Sequence, residues 1–158
     1  MAGLNVKRAA KEFSQLHASI GKPDAAHLVS VSLPDEDNVL QWAVVFHGPA
    51  DTPYAGGFFR ATVTIGPEYP HRDPTIRFVT PVWHPGVMDD GKLCEALFSD
   101  WAPTMGVKDA LLRVHKMLAA PAEFAMINDT IAKQFSEDRK AFDKKAAEIT
   151  KVHAKASK

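Results

Sequence analysis

Cys94 is the only cysteine of the chain, and it follows an irregular stretch rich in proline and glycine. A lone thiol in such a setting is a candidate nucleophile, because sulfur attacks carbonyl carbon near neutral pH. The chemistry would then be covalent catalysis through this thiol. A single cysteine is also a common small apolar core residue, so composition and placement leave both roles open.

His84 lies ten residues before Cys94 and invites comparison with a cysteine–histidine catalytic pair. In such a pair a third group orients the imidazole so that it accepts the proton of the nucleophile. The sequence offers no evident aspartate or asparagine for that task. We therefore favour a structural role for His84.

Composition limits the classes of protein and partner. A chain of 158 residues fits one domain, assigned to residues 1–158, with 153–158 as a frayed polar tail. Its 19 basic and 19 acidic residues give zero formal charge, which argues against nucleic acid or a membrane surface as partner. We expect a monomer.

Cysteine content and the start of the chain indicate the compartment. One cysteine can form neither an internal disulfide nor a four-cysteine zinc site, so no metal is expected. Charged residues interrupt the first twenty positions, and no apolar run has the length of a signal peptide or membrane span. These features predict the cytosol or nucleus.

Hydrophobic periodicity predicts an α/β domain of the α+β type. Apolar residues at helical spacing indicate a first helix over about 5–19, a core helix from about Val107 to Ala120, and one broken or two successive helices from about Ile131 to Val152. Between them, alternating residues joined by short turns predict a four-stranded antiparallel meander. The apolar strand residues are Val29, Val31, Leu33, Leu40, Trp42, Val44, Phe46, Phe59, Ala61, Val63, Ile65, Ile76 and Phe78.

The segment from Pro81 to about Met105 has no helical or strand pattern. Irregular segments of this length are uncommon in a compact domain and are usually functional. The position of Cys94 within it agrees with that expectation.

The order of landmarks along nearly the whole chain resembles that of ubiquitin-conjugating enzymes. Cys94 lies where that family keeps its acceptor cysteine. The landmarks are Gly48-Pro49, Thr52-Pro53-Tyr54, Gly56-Gly57, Glu68-Tyr69-Pro70, Pro74, Trp83-His84-Pro85, Gly91, Cys94, Trp101, Pro103, Asp138-Arg139 and Phe142.

The resemblance implies a carrier reaction. Cys94 would accept ubiquitin or a ubiquitin-like protein as a thioester from an activating enzyme. The thioester would then pass to a ligase cysteine or a substrate lysine. ATP would be used by the activating enzyme, so the resemblance implies no cofactor for this chain.

The sequence departs from the family pattern in three places. Gly86 stands where the family has the asparagine of His-Pro-Asn, so the side-chain amide that supports the oxyanion is missing, and loss of one such donor costs on the order of a hundredfold in rate. Ala125 falls where many members have an acidic or polar residue near the incoming lysine. The gap from Cys94 to Trp101 is about one residue short of the common length.

Other groups are then expected to support the site. The supporting candidates are His84, Gly86, Asp89, Asp90, Trp101 and Glu123, with the three acidic residues as candidates for steering an amine.

The resemblance also implies surfaces for partners. The first helix would contact the activating enzyme, and two loops would contact the ligase. The residues concerned are Lys7, Arg8, Lys11, His71, Arg72, Pro103, Thr104 and Met105.

Two rival interpretations remain from the sequence. The chain can be a non-catalytic adapter of the same fold, which the missing asparagine favours and the retained Cys94 disfavours. It can also carry a ubiquitin-like modifier other than ubiquitin, and nothing in the sequence decides between the modifiers.

Overall fold

The computed structural model describes residues 3–156, where four α-helices pack against one four-stranded sheet. The helices are α1 (Leu4–Ser19), α2 (Val107–Ala119), α3 (Asp129–Glu137) and α4 (Arg139–His153). The strands are β1 (Leu28–Ser32), β2 (Gln41–His47), β3 (Phe58–Thr64) and β4 (Thr75–Phe78). Short 3₁₀ turns occupy Pro23–Ala25, Glu95–Phe98 and Pro121–Glu123. Within the described range, no helix has the length and apolar character to span a membrane.

The sheet is an antiparallel meander in the order β1-β2-β3-β4, which confirms the predicted fold class. Successive side chains of a strand point to opposite faces, so the alternating pattern gives the sheet one apolar face. That face carries Trp42, Val44 and Phe46 from β2, Phe59, Ala61 and Val63 from β3, and Ile76 and Phe78 from β4, all buried.

Strand β1 departs from the alternation predicted for it. Its pairing with β2 shifts between Leu28 and Ser30, and such an irregularity changes which side chain faces the core. Leu28 and Val31 are buried, whereas Val29 is only half-buried. The prediction that Val29 belongs to the buried face is therefore wrong, and Leu28 takes its place.

Helix α2 is a core helix, as its pattern predicts. One stripe of its surface is fully buried because the apolar residues recur at three- and four-residue intervals. The stripe comprises Val107, Ala110, Leu111, Val114, Met117 and Leu118. Helix α1 adds Ala9 and Leu16 to the same core.

The C-terminal region forms two successive helices, one of the alternatives left open by the sequence. Asn128 caps α3 and Asp138 caps α4 through side-chain oxygens that accept helix N–H groups. His153, where the predicted tail 153–158 begins, still belongs to α4, and Ala154 is 3% exposed with its carbonyl accepting the N–H of Phe58 at 2.8 Å. Lys155 and Ala156 are exposed and 157–158 lie outside the described residues, so fraying of the last residues stays a prediction.

The irregular segment is folded back onto β4 by a tight turn at Gly91. The N–H of Phe78 donates to the carbonyl of Gly91 at 3.0 Å, and the N–H of Met88 donates to the carbonyl of Lys92 at 2.9 Å. Gly91 has φ +88°, a conformation that costs L-residues energy. A Cβ atom at Gly91 would also overlap the carbonyl of Phe78. Only glycine allows the two backbones to lie this close.

Gly91→Ala is expected to lower the free energy of unfolding by at least about 3 kcal/mol, since it adds backbone overlap to left-handed strain. Gly21 is the matched control, because it has the same φ of +88° and no atom within 4 Å of an added Cβ. Gly21→Ala is expected to cost only about 1 kcal/mol. Urea denaturation of both variants measures the difference, and equal losses would contradict the packing argument.

Two buried histidines remain neutral in the fold. Burial lowers the pKa of His84 to about 4. Burial, and then the proximity of His115, lower the pKa of His27 to about 4. The Nε2 atom of His27 is buried without a hydrogen-bond partner, and its ring centroid lies 5.7 Å from that of His115. The unfolded chain therefore binds more protons than the folded chain between the two pKa values.

The free energy of unfolding is expected to fall as the pH decreases from about 6.5 to 4. The unfolded imidazoles take up protons first, and the contribution of His84 is on the order of 3 kcal/mol at pH 4. Urea denaturation across this range measures the slope. His27→Phe keeps an apolar ring without a titrating group and should make the slope shallower, whereas the exposed control His71→Ala should not. A slope unaffected by His27→Phe would contradict the assignment.

Candidate functional site

Cys94 lies at the surface, half-buried, at the start of the 3₁₀ turn Glu95–Phe98. It lines two openings. The first, here called the Cys94 cavity, has a volume of about 220 Å³ and is otherwise lined by Ala96, Leu97, Met117, Glu123, Phe124 and Ala125. The second, here called the 72–76 groove, has about 420 Å³ and is otherwise lined by Arg72, Asp73, Pro74, Thr75, Ile76, Lys92, Leu93, Glu95 and Phe98. Cys94 thus borders both openings.

The two openings differ in character because different elements form them. The Cys94 cavity is mainly apolar, with the C-terminal end of α2 on one side and the Phe124 segment on the other, and Glu123 is its one charged lining residue. The 72–76 groove lies between the β3–β4 loop and the segment that leads to Cys94, and it carries charges of both signs.

His84 is buried and both of its ring nitrogens are occupied. Nδ1 accepts the N–H of Gly86 at 2.8 Å, so the ring proton lies on Nε2, which donates to the carbonyl of Met117 at 2.8 Å. With a pKa lowered to about 4 by burial, the ring stays neutral near pH 7. The imidazole therefore joins the 84–86 segment to the end of α2 and has no nitrogen free to accept the thiol proton.

Gly86 is buried beside that ring. A Cβ atom at this position would lie 3.0 Å from Sδ of Met117 and 3.2 Å from Nδ1 of His84. Both distances are tighter than ordinary contacts, so a side chain at position 86 would require Met117 and His84 to shift by a few tenths of an ångström. Gly86 contributes its backbone N–H to His84 and no amide to the thiol.

The three acidic candidates have separate environments. Glu123 lines the Cys94 cavity and lies 4.0 Å from the ammonium of Lys116. Asp90 accepts the N–H of Lys92 at 3.0 Å and pairs with Arg77 at 2.7 Å, and these contacts lower its pKa. Asp89 is exposed and accepts a hydrogen bond from Asn128 at 3.3 Å. The structure thus places Glu123 in the cavity that Cys94 also lines, and it uses Asp90 within the Gly91 turn.

Trp101 stabilises the segment that follows Cys94. Its indole N–H donates to the carbonyl of Pro70 at 2.8 Å, and its ring meets Phe98 edge-on with centroids 6.1 Å apart. Phe98 closes the 3₁₀ turn that begins after Cys94. Trp101 therefore braces that turn against the β3–β4 loop, and it is not among the residues lining either opening at the thiol.

Glu12 joins three elements, a role that the sequence analysis missed. Its carboxylate accepts the hydroxyl of Tyr69 at 2.7 Å and the N–H of Val107 at 2.7 Å, and it pairs with Arg8 at 2.9 Å. Burial and the neighbouring carboxylate raise the pKa of Tyr69, so its hydroxyl stays a donor. The four-residue spacing of Arg8 and Glu12 was the available signal in the sequence.

Arg8 is occupied within the protein. Its guanidinium donates to the carbonyls of Pro103 and Met105 at 3.0 and 2.9 Å. These bonds fix the 103–105 loop beside α1, so Arg8 shapes the predicted partner surface from within. The other predicted partner residues are exposed except Met105, which is half-buried; they are Lys7, Lys11, His71, Arg72, Pro103 and Thr104.

Within residues 3–156, no cluster of three or more histidine, cysteine, aspartate or glutamate side chains is placed to hold a metal ion. No histidine lines either of the two openings at Cys94. The site offers a nucleophile, an apolar cavity and one carboxylate.

Comparison with known proteins agrees with this site. The family model described as ubiquitin-conjugating enzyme matches residues 8–150. Ubiquitin conjugating enzyme E2 B of Dictyostelium discoideum is 34% identical over 150 residues, covering 94% of this chain and 97% of that protein. Ubiquitin-conjugating enzyme E2 7 of Arabidopsis thaliana is 35% identical over 132 residues, covering 75% and 80%.

Solved structures extend the agreement to the fold. A candidate ubiquitin conjugating enzyme from Plasmodium yoelii has a TM-score of 0.88 at 28% identity and covers 99% of both chains. The ubiquitin conjugating enzyme domain from Toxoplasma gondii has a TM-score of 0.81 at 29% identity, covering 94% of this chain and 99% of that one. From its sequence, its meander sheet and helices, and these matches, the chain belongs to the ubiquitin-conjugating enzyme family.

Proposed function

We propose that this chain accepts ubiquitin or a ubiquitin-like protein as a thioester on Cys94 and passes it to a ligase cysteine or a substrate lysine. The observation that carries the proposal is the position of Cys94, half-buried and bordering two openings, at the start of a 3₁₀ turn. Family membership supplies the class of reaction. The apolar Cys94 cavity suits the narrow tail of a modifier, and the 72–76 groove leaves a second approach to the sulfur.

The first step is a thiol exchange. The Cys94 thiolate attacks the thioester carbonyl that joins the modifier to the activating enzyme, and the thiolate of that enzyme leaves. In the second step an amine or another thiol attacks the new thioester, and the Cys94 thiolate leaves in turn. A thiolate suits both steps because it is a good nucleophile and a good leaving group. ATP is consumed on the activating enzyme, so these steps use no cofactor on this chain.

Transfer to lysine makes the greater demand on this site. Gly86 offers no side-chain amide to the developing oxyanion, and His84 is committed to backbone partners. Glu123, in the Cys94 cavity, is the group placed to steer an incoming amine and accept its proton. A thiolate nucleophile carries no such proton. Transfer to a ligase cysteine is therefore the favoured route.

The partner surfaces follow from exposed residues. Lys7 and Lys11 on α1 are the basic residues proposed to meet the activating enzyme, and the loops at His71 and Thr104 are proposed to meet the ligase. The free thiol of Cys94 suits a reducing compartment, and we propose the cytosol or nucleus. An adapter that binds without forming a thioester is the second candidate function, favoured by the glycine at position 86.

The wild-type chain is expected to form an adduct that is cleaved by added thiol when it is incubated with an activating enzyme, ATP and a panel of modifiers. Cys94→Ala should form none, and Cys94→Ser should form a thiol-resistant ester. Non-reducing gels and mass spectrometry report all three. Because Cys94 is the only cysteine, no other thiol of the chain competes.

The matched control is Cys94→Ala combined with Ser99→Cys, which moves the thiol five residues along to an exposed position outside both openings. It should not form the adduct. An adduct with Cys94→Ala would contradict the assignment of Cys94. The absence of any adduct with wild type across the panel would favour the adapter.

Glu123→Gln is expected to slow discharge of the loaded thioester to free lysine about tenfold, because the cavity loses its proton acceptor. Discharge to free cysteine should change little, since a thiolate needs no base. Glu95→Gln is the matched control, because Glu95 is exposed and lines the opposite opening. Single-turnover rates from purified thioester measure each step, and an equal effect on lysine and cysteine would count against the role of Glu123.

A further inference from the structure

Asn128, the cap of α3, makes contacts that a helix cap does not need. Its Nδ2 donates to the carbonyl of Val87 at 3.2 Å and to Oδ1 of Asp89 at 3.3 Å. Its Oδ1 accepts the N–H of Ile131 at 3.5 Å, which is the capping contact. The side chain is buried, with 8% of the residue exposed. The Asn128 side-chain amide therefore caps α3 through its oxygen and binds the 85–89 segment through its nitrogen.

The backbone beside Asn128 reinforces the same junction. The N–H groups of Ile127 and Asn128 both donate to the carbonyl of Pro85 at 2.9 Å. The 85–89 segment is thus held at Pro85 by backbone and at Val87 and Asp89 by the side-chain amide. Gly86, between these points, has no side chain that could hold the segment from within.

The 85–89 segment leads directly to the thiol. Val87 forms a bridge with Leu93, and Leu93 is bonded in sequence to Cys94. In the other direction along the chain, Phe124 and Ala125 lie just before Ile127 and line the Cys94 cavity. Asn128 is therefore placed where the segment that carries the thiol meets the segment that forms the opposite wall.

We propose that Asn128 is a positioning residue for Cys94. Asn128 lies outside the Cys94 cavity and sets the distance between the two segments that form its walls. This inference rests on the proposed thioester function. Loss of the Asn128 donor leaves the Val87 carbonyl without that partner in a buried place, which favours a shift of the segment. A shift of about 1 Å at a reacting group can reduce a rate up to a hundredfold.

Asn128→Asp separates positioning from capping. Aspartate caps helices as well as asparagine does, so α3 keeps its cap. The two donors are lost, and the new carboxylate faces Asp89. Asn128→Asp combined with Asp89→Asn restores a donor–acceptor pair between positions 128 and 89 in reverse, while the Val87 carbonyl stays without a side-chain donor. Asn38→Asp is the matched control, because Asn38 also accepts a backbone N–H, from Leu40, and is exposed in the β1–β2 loop.

The experiment measures single-turnover discharge of purified thioester to free lysine, with urea unfolding of each variant alongside. Asn128→Asp should discharge at least about tenfold more slowly than wild type. The exchanged pair restores the contact with position 89 but not the donor to the Val87 carbonyl, so it should recover only part of the rate, and Asn38→Asp should match wild type. A wild-type rate in Asn128→Asp, or an equal loss in Asn38→Asp, would overturn the proposal.

A second readout needs no modifier. The rate of alkylation of Cys94 by iodoacetamide should rise several-fold in Asn128→Asp, under conditions where circular dichroism shows the variant folded, because a released segment exposes the half-buried thiol. The exchanged pair should lower the alkylation rate only part of the way toward wild type, because the Val87 carbonyl still lacks its donor. An unchanged alkylation rate would count against positioning. Failure of wild type to form any adduct, with the alkylation pattern as expected, would instead reject the proposed function and leave the positioning role standing.

Discussion

The close approach of the Gly91 backbone to the end of β4 is the contact on which the site depends. An irregular segment has no regular ladder of its own, so its polar backbone groups need partners elsewhere. The Gly91 turn supplies them by pairing with Phe78 on one side and within Met88–Lys92 on the other. Cys94 then emerges three residues later at a fixed place beside the sheet. A side chain at Gly91 would separate these backbones and move the thiol with them.

Two side-chain hydrogen-bond contacts also join the irregular segment to helices α2 and α3. His84 ties the start of the irregular segment to the carbonyl of Met117 at the end of α2, and Asn128 ties its middle to α3. Both are buried polar groups with satisfied hydrogen bonds, which define one arrangement more sharply than apolar packing does. The thiol itself makes no such contact and stays half-buried. These surroundings suit the proposed carrier reaction, in which Cys94 would meet two large partners in succession.

The proposed partner surface has its own internal support. Glu12 binds Tyr69 from the β3–β4 loop and the first N–H of α2, while Arg8 holds the 103–105 loop. Trp101 links that region to Pro70 and to the turn that starts at Cys94. The proposed surface and the turn beside Cys94 therefore rest on neighbouring, connected contacts.

The sequence by itself determined the meander, the core helices and the importance of Cys94, because alternation, helical spacing and a single thiol are local signals. It misplaced Val29, since an irregular pairing between two strands depends on both strands, and it began the frayed tail at His153 although Ala154 is buried. Only the tertiary structure decided which polar groups meet. It committed Arg8 and His84 to backbone carbonyls, brought Glu123 alone of the acidic candidates to the cavity, and placed Asn128 beside Val87. Hydrogen bonds between residues far apart in the chain are set by the packing of whole elements, and no local pattern records them.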